Sequence, residues 1–290
     1  FPDVTARVSA AAGIRATVGL IVIDFPTAWA DDADGYLAKG LALHDEYRND
    51  PLISTAFAPH APYTVSDGPL ERIRVLADEL DIPIHMHVHE TAAEVHESEE
   101  KLGARPLQRL HQLGLLSPSL LAVHMTQLSD GEINQLAEAS AQVVHCPESN
   151  LKLASGFCPV KQLDDAGIIV ALGTDGAASN NDLDLWAEMH IAALLPKATN
   201  GDPTALPARD ALAMATIEGA RAIHQEHLVG SLEPGKRADL ILLDILMPGL
   251  DGYETCRRLR RNPALRHAKI ILVSAKIDVD DYFRGQAVTN

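Results

Sequence analysis

The sequence has no apolar run long enough to span a bilayer. Its best candidate, Ala10 to Ile23, falls short of the roughly 18 residues required and is interrupted by Arg15 and by glycine. Cysteine is scarce: Cys146, Cys158 and Cys256 are odd in number and widely spaced, so they offer neither a disulfide framework nor a CxxC zinc site, and they fit a reducing cytoplasm. Positive charge is also scarce. With 24 Lys+Arg against 40 Asp+Glu the formal net charge is −16, which repels nucleic acid and anionic membrane surfaces. Small molecules and proteins remain as partners, with room for a homo-oligomer. Phe1 is not a Met and is followed by no basic n-region or apolar h-region, so these residues do not read as a signal peptide and further chain is expected upstream. Internal repeats and low-complexity tracts are missing, as are the G-x-S-x-G elbow, the G-x-x-x-x-G-K-[ST] phosphate loop and the H-E-x-x-H helix.

What the sequence does have is 290 residues, 47% of them hydrophobic, enough for a substantial core. Short β-branched or apolar runs recur at Ile14–Ile23, Leu52–Ala58, Ile82–Val88, Leu120–His124, Gln142–His145 and Ile168–Leu172. Helix-period segments lie between them: Asp67–Leu80 with Asp67 as N-cap, Pro106–Leu113, and Ser129–Ala139, where Ser129 and Glu132 form an S-x-x-E capping box. Helices are also expected at Asp184–Leu195 and Ala208–Ile223. Strands and helices alternating at this spacing predict parallel βαβ units. An open doubly wound sheet alternates in the same way, but it usually carries a Gly-rich first turn, and this sequence has none. A (β/α)₈ barrel is therefore the expected architecture.

Several of the predicted strands end in residues capable of chemistry: His60, the run His85-Met-His87-Val-His89-Glu90, His124, His145 and Asp175. In a barrel all C-terminal strand ends share one face, and that face carries the active site. Side chains at i and i+2 of a strand share a face, so imidazoles of the His85–His89 run can project into the barrel mouth as metal ligands, with Glu90 coming round at the strand end. Asp175 ends an apolar strand and enters a loop of small residues, where a carboxylate can bind a metal ion and take a proton. Taken singly, each has an ordinary explanation: a satisfied histidine on a sheet, or a turn-forming Asp before Gly. The convergence of His87, Glu90, His124 and Asp175 on one rim is what suggests a metal-water constellation. Cys146 reads as packing, because adjacent strand residues point to opposite faces.

Residues 1–238 resemble the amidohydrolase superfamily, in particular its 5-methylthioadenosine/S-adenosylhomocysteine deaminase branch and the related chlorohydrolases. The resemblance is carried by Ala58-Pro-His-Ala-Pro-Tyr-Thr64, His85-Met-His-Val-His-Glu-Thr91, Val143-Val-His-Cys-Pro-Glu-Ser-Asn-Leu-Lys-Leu153 and Leu172-Gly-Thr-Asp-Gly-Ala-Ala-Ser-Asn-Asn181. It implies one Zn²⁺ per chain in a distorted barrel, with His87 and Asp175 as ligands. It also implies that Glu90 shuttles a proton from the attacking water to the purine ring nitrogen, that His124 orients that water, and that His60 contacts the nucleoside. The expected reaction is hydrolytic deamination of an adenine nucleoside such as 5-methylthioadenosine or S-adenosylhomocysteine, with release of ammonia. The six strands correspond to the third through eighth of that barrel. The H-x-H pair of the family's first strand lies upstream of anything present, so weak zinc binding and impaired activity are expected. Val18 stands beside Gly19 where some relatives hold the homocysteine carboxylate with arginine, which favours the smaller substrates.

From about Asp239 the composition shifts. Residues 239–290 carry a net charge of +1, leaving −17 on the part before them. Asp239-Leu-Ile-Leu-Leu-Asp244-Ile-Leu-Met-Pro-Gly-Leu-Asp-Gly-Tyr-Glu254 and Ile270-Ile-Leu-Val-Ser274-Ala275 are similar to the middle of a response-regulator receiver domain, a partial flavodoxin-like segment. That resemblance makes Asp244 a phosphoacceptor-like residue and Ser274 the hydroxyl that senses the phosphoryl group. The Mg²⁺-holding acidic pair and the usual lysine are absent, so phosphorylation is not expected. The alternatives to an enzyme are a signalling or interaction protein acting through this tail, or a non-functional gene fusion joined at Ala238–Leu240.

Overall fold

The computed structural model describes residues 1–245, 249–263 and 268–273. The chain opens with α1 (Pro2–Ala12), β1 (Ala16–Val22), α2 (Ala33–Tyr47), β2 (Ile53–Pro59), α3 (Asp67–Leu80) and β3 (Ile84–Val88). Two helices, α4 (Ala92–Leu102) and α5 (Pro106–Gln112), lead to β4 (Leu120–His124), then α6 (Asp130–Glu138) and β5 (Gln142–His145). Next come α7 (Pro147–Lys152), α8 (Val160–Asp165) and β6 (Val170–Leu172), followed by α9 (Leu185–Asn200), α10 (Ala208–Met214) and α11 (Ile217–Ala222). The last described elements are β7 (Leu240–Asp244), α12 (Gly252–Arg261) and β8 (Lys269–Val273).

Strands β1 to β6 form one sheet in sequential order with every pairing parallel. This is the strand order of a (β/α)₈ barrel wall, and it places all six C-terminal strand ends on one rim. The period-2 alternation of the strands sorts their side chains. Val18, Leu20, Phe57, Ile84, Met86, Val88, Leu120, Ala122 and Val143 face a core built with Tyr36, Leu37, Leu70, Ile73, Leu107, Leu110 and Leu136 of the helices. On the opposite face Leu121 and Ala171 pack with Ala222 of α11, and Val144 and Ile223 lie against them. His85 and His87 alternate with the core-facing residues of β3 and therefore share this inner face. Val18 belongs to the helix-packed core, so its identity bears on packing and carries no information about substrate size.

Some expectations shift by a residue or a helix. Asp67 is not the N-cap of α3; Ser66 holds that position, and the Asp67 carboxylate instead accepts from Nε of Arg109 at 2.8 Å. The apolar stretch from Ala10 is divided between the end of α1 and β1. Gly13 closes α1 with φ +68°, and the Ile14 N–H turns back to the Ser9 carbonyl, so the strand begins at Ala16 rather than Ile14. The expected single helix Ala208–Ile223 breaks at Thr216, which lets α11 turn against the inner face of the sheet. The capping box of α6 is present as expected, with both Ser129 and Glu132 reciprocating.

Beyond α11, β7 and β8 form a separate two-stranded parallel sheet covered on one side by α12. Arg15 reaches across from the start of β1 to the Asp239 carboxylate at 3.1 Å. Among the described residues no helix is long and apolar enough to cross a membrane.

Leu110 is fully buried in the core between sheet and helices, whereas Leu212 is 47% exposed. Leu110→Ala is expected to cost about 2–5 kcal/mol in chemical denaturation and Leu212→Ala less than about 0.5 kcal/mol. Equal effects would contradict this placement of the core.

Candidate metal centre

The side chains of His87, His124 and Asp175 meet above the strand rim, with one potential ligand atom from each lying within 4.8 Å of the others. They come from the ends of β3, β4 and β6, elements separated in sequence and joined only by the sheet. The backbone turns sharply where they project: His89, His124, Met125 and Asp175 all have positive φ, at 52°, 77°, 50° and 60°. Such left-handed residues cost of order 1–3 kcal/mol each and persist only where their surroundings over-determine them. Here the Met125 N–H bonds the Val88 carbonyl and the Thr126 N–H bonds the His89 carbonyl. The Thr126 hydroxyl donates to the Glu90 carbonyl at 2.7 Å, and Gln127 Nε2 donates to the Ser155 carbonyl at 2.8 Å. Gly156 makes this crossing possible: at φ +134° a Cβ there would sit 2.6 Å from Gln127 Nε2.

Hydrogen bonds fix the orientation of each donor. His87 Nδ1 donates to the His60 carbonyl at 2.8 Å, and a carbonyl can only accept, so Nε2 is the ring nitrogen left to face a ligand. His124 Nδ1 pairs with Asn150 Oδ1 at 2.9 Å, leaving its Nε2 3.9 Å from Glu90 Oε2. Asp175 Oδ2 accepts from the hydroxyls of Ser149 at 2.7 Å and Ser179 at 2.6 Å. The rings of His60 and His87 lie 5.1 Å apart, and those of His87 and His124 stack at 5.4 Å.

The electrostatics suit a cation. Burial would raise the Asp175 carboxyl, but the hydrogen bonds from Ser179, Ser149 and the Gly176 N–H outweigh it and hold the group below the usual carboxylate range. Burial lowers His124 despite the nearby Glu90 carboxylate, and burial with the neighbouring His87 lowers His60, so both imidazoles are neutral near pH 7. The ring nitrogens of His87 and His124 with an ionised Asp175 carboxylate form the nitrogen and oxygen donor set that divalent transition ions accept. The residues therefore fit the implied metal, and His124 stands within the donor set in addition to the position expected for it.

The triplet His85-His87-His89 divides into three roles. His85 lies further from the rim on the inner face, where it is exposed, and it gives no atom to the cluster. Only His87 joins the cluster. His89 is fully buried, its Nε2 accepts from the Leu107 N–H at 3.1 Å, and it lies 3.7 Å from Glu132 Oε1, which makes it a structural residue. Asp244 ends β7 on the separate small sheet, outside the cluster, and Ser274 lies outside the described residues.

Glu94 was not singled out in the sequence, although Thr91-x-x-Glu94 has the spacing of a capping box. The Thr91 hydroxyl accepts from the Glu94 N–H, while the Glu94 carboxylate reaches back to the N–H groups of His89 at 3.2 Å and Glu90 at 2.7 Å. It thereby fixes the backbone from which Glu90 projects. A cleft of about 760 Å³ bounded by Asp24, Phe25, Tyr63, Glu94 and Leu102 is lined by none of the cluster residues; its Tyr63 ring lies 6.1 Å from that of His60. Ser149, Asn150 and Ser179 lie within motifs quoted from the sequence, but their hydrogen bonds to the cluster depend on contacts between β-strand ends that no local pattern encodes.

The amidohydrolase family's sequence profile matches residues 4–278. A 5-methylthioadenosine/S-adenosylhomocysteine deaminase of Teredinibacter turnerae is 54% identical over 245 residues, which cover 84% of this chain and 55% of that protein. The protein of the same name from Thermodesulfovibrio yellowstonii is 42% identical over 288 residues, 98% of this chain and 62% of its own. An adenosine deaminase of Xanthomonas campestris with bound zinc superposes with a TM-score of 0.81 at 57% identity, over 82% of this chain and 54% of that one. A zinc-complexed atrazine chlorohydrolase of Arthrobacter aurescens superposes with a TM-score of 0.74 at 25% identity, over 81% and 54% of the two chains. This chain thus spans a little over half the length of the curated relatives it matches.

Burial pushes the Glu94 carboxyl up to about 7, against the N–H groups of Glu90 and His89 that favour its charged form. A carboxyl raised in the folded state contributes stability that is complete below its unfolded value, near 4.3, and is lost as pH rises through about 7. Denaturation midpoints of wild type and Glu94→Gln are accordingly expected to converge or cross in the variant's favour between pH 5 and pH 8. A constant offset over that range would contradict the burial of an ionisable group here.

Proposed function

The chain belongs to the amidohydrolase family, and from that premise we propose that it carries the catalytic strand ends of a zinc-dependent hydrolase that deaminates an adenine nucleoside. The observation that carries this reading is the His87, His124 and Asp175 cluster with Glu90 beside it. His87 Nε2 and an Asp175 carboxylate oxygen would hold the ion, with His124 Nε2 in reach of the same position. When bound, the ion supplies Lewis-acid activation, making a water acidic enough to attack near neutral pH.

The chain's own residues do the rest. Glu90 takes the proton from that water and delivers it to the purine ring nitrogen, which prepares the ring for addition at the amino-bearing carbon. Its backbone is held for this task by Glu94 and Thr126. His124, neutral and fixed through Nδ1 by Asn150, directs Nε2 at the water and keeps it aligned. His60, with Nδ1 paired to the Thr64 hydroxyl at 3.0 Å, stands at the rim to contact the nucleoside. As the adduct collapses, the proton of its hydroxyl passes to the amino group, the C–N bond breaks, and ammonia leaves behind a ring carbonyl. The names of the relatives, deaminases acting on thioether nucleosides and an adenosine deaminase, support this substrate class.

We read β7–α12–β8 as a receiver-like unit, supported by its parallel pairing and by Asp251 capping α12 after the strand that ends in Asp244. The family match continues through this segment to residue 278, which disfavours phosphoacceptor signalling as the chain's activity.

With zinc supplied, the chain is expected to release ammonia from 5-methylthioadenosine, and Glu90→Gln is expected to lower kcat by about 10²–10⁴-fold with a smaller change in KM. Ammonia release unaffected by Glu90→Gln would remove the proposed role, and no release from any adenine nucleoside would remove the activity.

A further inference from the structure

We propose that Glu188 is a positioning residue that sets the Asp175 carboxylate and the His124 imidazole in register with one another. The inference rests on the reading of those two residues as the working site, and goes beyond it to a residue that touches neither.

Glu188 lies in the first turn of α9, an element that gives nothing to the cluster, and its side chain is 0% exposed. A buried carboxylate is costly unless its oxygens are satisfied. Both are. Oε1 accepts from Asn180 Nδ2 at 2.5 Å and Oε2 accepts from the Glu148 N–H at 3.1 Å. Each partner sits next to a residue that grips the site. Asn180 follows Ser179, whose hydroxyl donates to Asp175 Oδ2. Glu148 precedes Ser149, whose hydroxyl donates to the same oxygen, and Asn150, whose side-chain oxygen pairs with His124 Nδ1.

One carboxylate therefore joins two arms that are otherwise distant in sequence: the first turn of α7 and the loop after β6. Asn180 is itself fully buried, and its Oδ1 accepts from the N–H groups of Asp182 at 3.2 Å and Leu183 at 2.8 Å, so the loop is folded around it. At the surface Lys152 Nζ also links the arms, to Asn181 Oδ1 at 2.7 Å and the Ala178 carbonyl at 3.2 Å, but that contact is exposed and correspondingly weak. No cation pairs with Glu188 among the described residues, and burial, with the Glu148 and Asp182 carboxylates nearby, pushes its carboxyl up to about 7. An apolar side chain of this volume would avoid burying a carboxyl but would leave the Asn180 amide and the Glu148 N–H without acceptors. What it would lack is the pair of acceptors that tie α7 to the loop.

The test uses the full 290-residue chain. Hydrogen exchange is measured without metal on wild type, Glu188→Leu, which removes both acceptors at similar volume, and Glu188→Gln, which keeps one. Zinc affinity is then measured on the same three proteins by competition with a chelating dye. In Glu188→Leu, peptides covering 147–153 and 175–183 are expected to exchange at least about 10-fold faster together while β1 to β4 stay protected, and zinc affinity is expected to fall about 10–100-fold. Glu188→Gln is expected to lie between. Should Glu188→Leu fail to fold, Glu188→Gln carries the same comparison. Exchange within about twofold of wild type in both segments, faster exchange spread evenly over the chain, or local opening with zinc affinity unchanged would each overturn the proposal. If wild type takes up no zinc, the metal reading falls and the exchange pattern alone decides the positioning role.

Discussion

The hydrogen bond from His87 Nδ1 to the His60 carbonyl joins the end of β3 to the end of β2, and the arrangement of the site depends on it. Because the acceptor is a carbonyl, the bond settles which ring nitrogen carries the proton and which is left to face the rim. His124 is settled the same way by Asn150, and Asp175 by two serine hydroxyls. Each of the three donors thus has one polar atom committed to the protein and one aimed at a shared point, which is how a site is organised before any ligand arrives.

The parallel sheet makes this convergence possible. Sequential pairing of β1 to β6 brings residues 60, 87, 124 and 175 to one rim although more than a hundred residues separate the first from the last. The left-handed turns at His89, His124 and Asp175 then bend the chain out of the strands within a residue or two. Their conformational cost is met by crossing hydrogen bonds among the strand-end loops, and Gly156 leaves the space through which one of those bonds passes. The helix-packed face of the sheet supplies the rigidity: its apolar core is continuous from Leu20 to Val170.

Much of this was legible in the sequence, for definite reasons. The six strands read clearly because buried parallel strands are near-continuous apolar runs, and the observed limits of β4 and β5 coincide with the expected ones. His87, Glu90, His124 and Asp175 were legible because strand-end polar residues stand out against those runs. Other features depend on long-range contacts. Arg109 captures Asp67 across 42 residues and displaces it from the cap position. The division of labour among His85, His87 and His89 is set by α5 and Glu132, which bury His89. Helices α1, α2 and α4 did not stand out, because their amphipathic patterns are interrupted by charge and their packing is decided by the sheet. The support of the site by Glu94 and Glu188 is likewise encoded in which elements come together.

Three separate strand ends meet to make one candidate cation site. Equilibrium dialysis of the full chain against zinc at neutral pH, with His87→Ala and Asp175→Asn beside wild type, tests it. One zinc per chain, with affinity lowered at least about tenfold in each variant, is the result the account predicts. Failure of wild type to take up zinc stoichiometrically, or uptake indifferent to both substitutions, would contradict it.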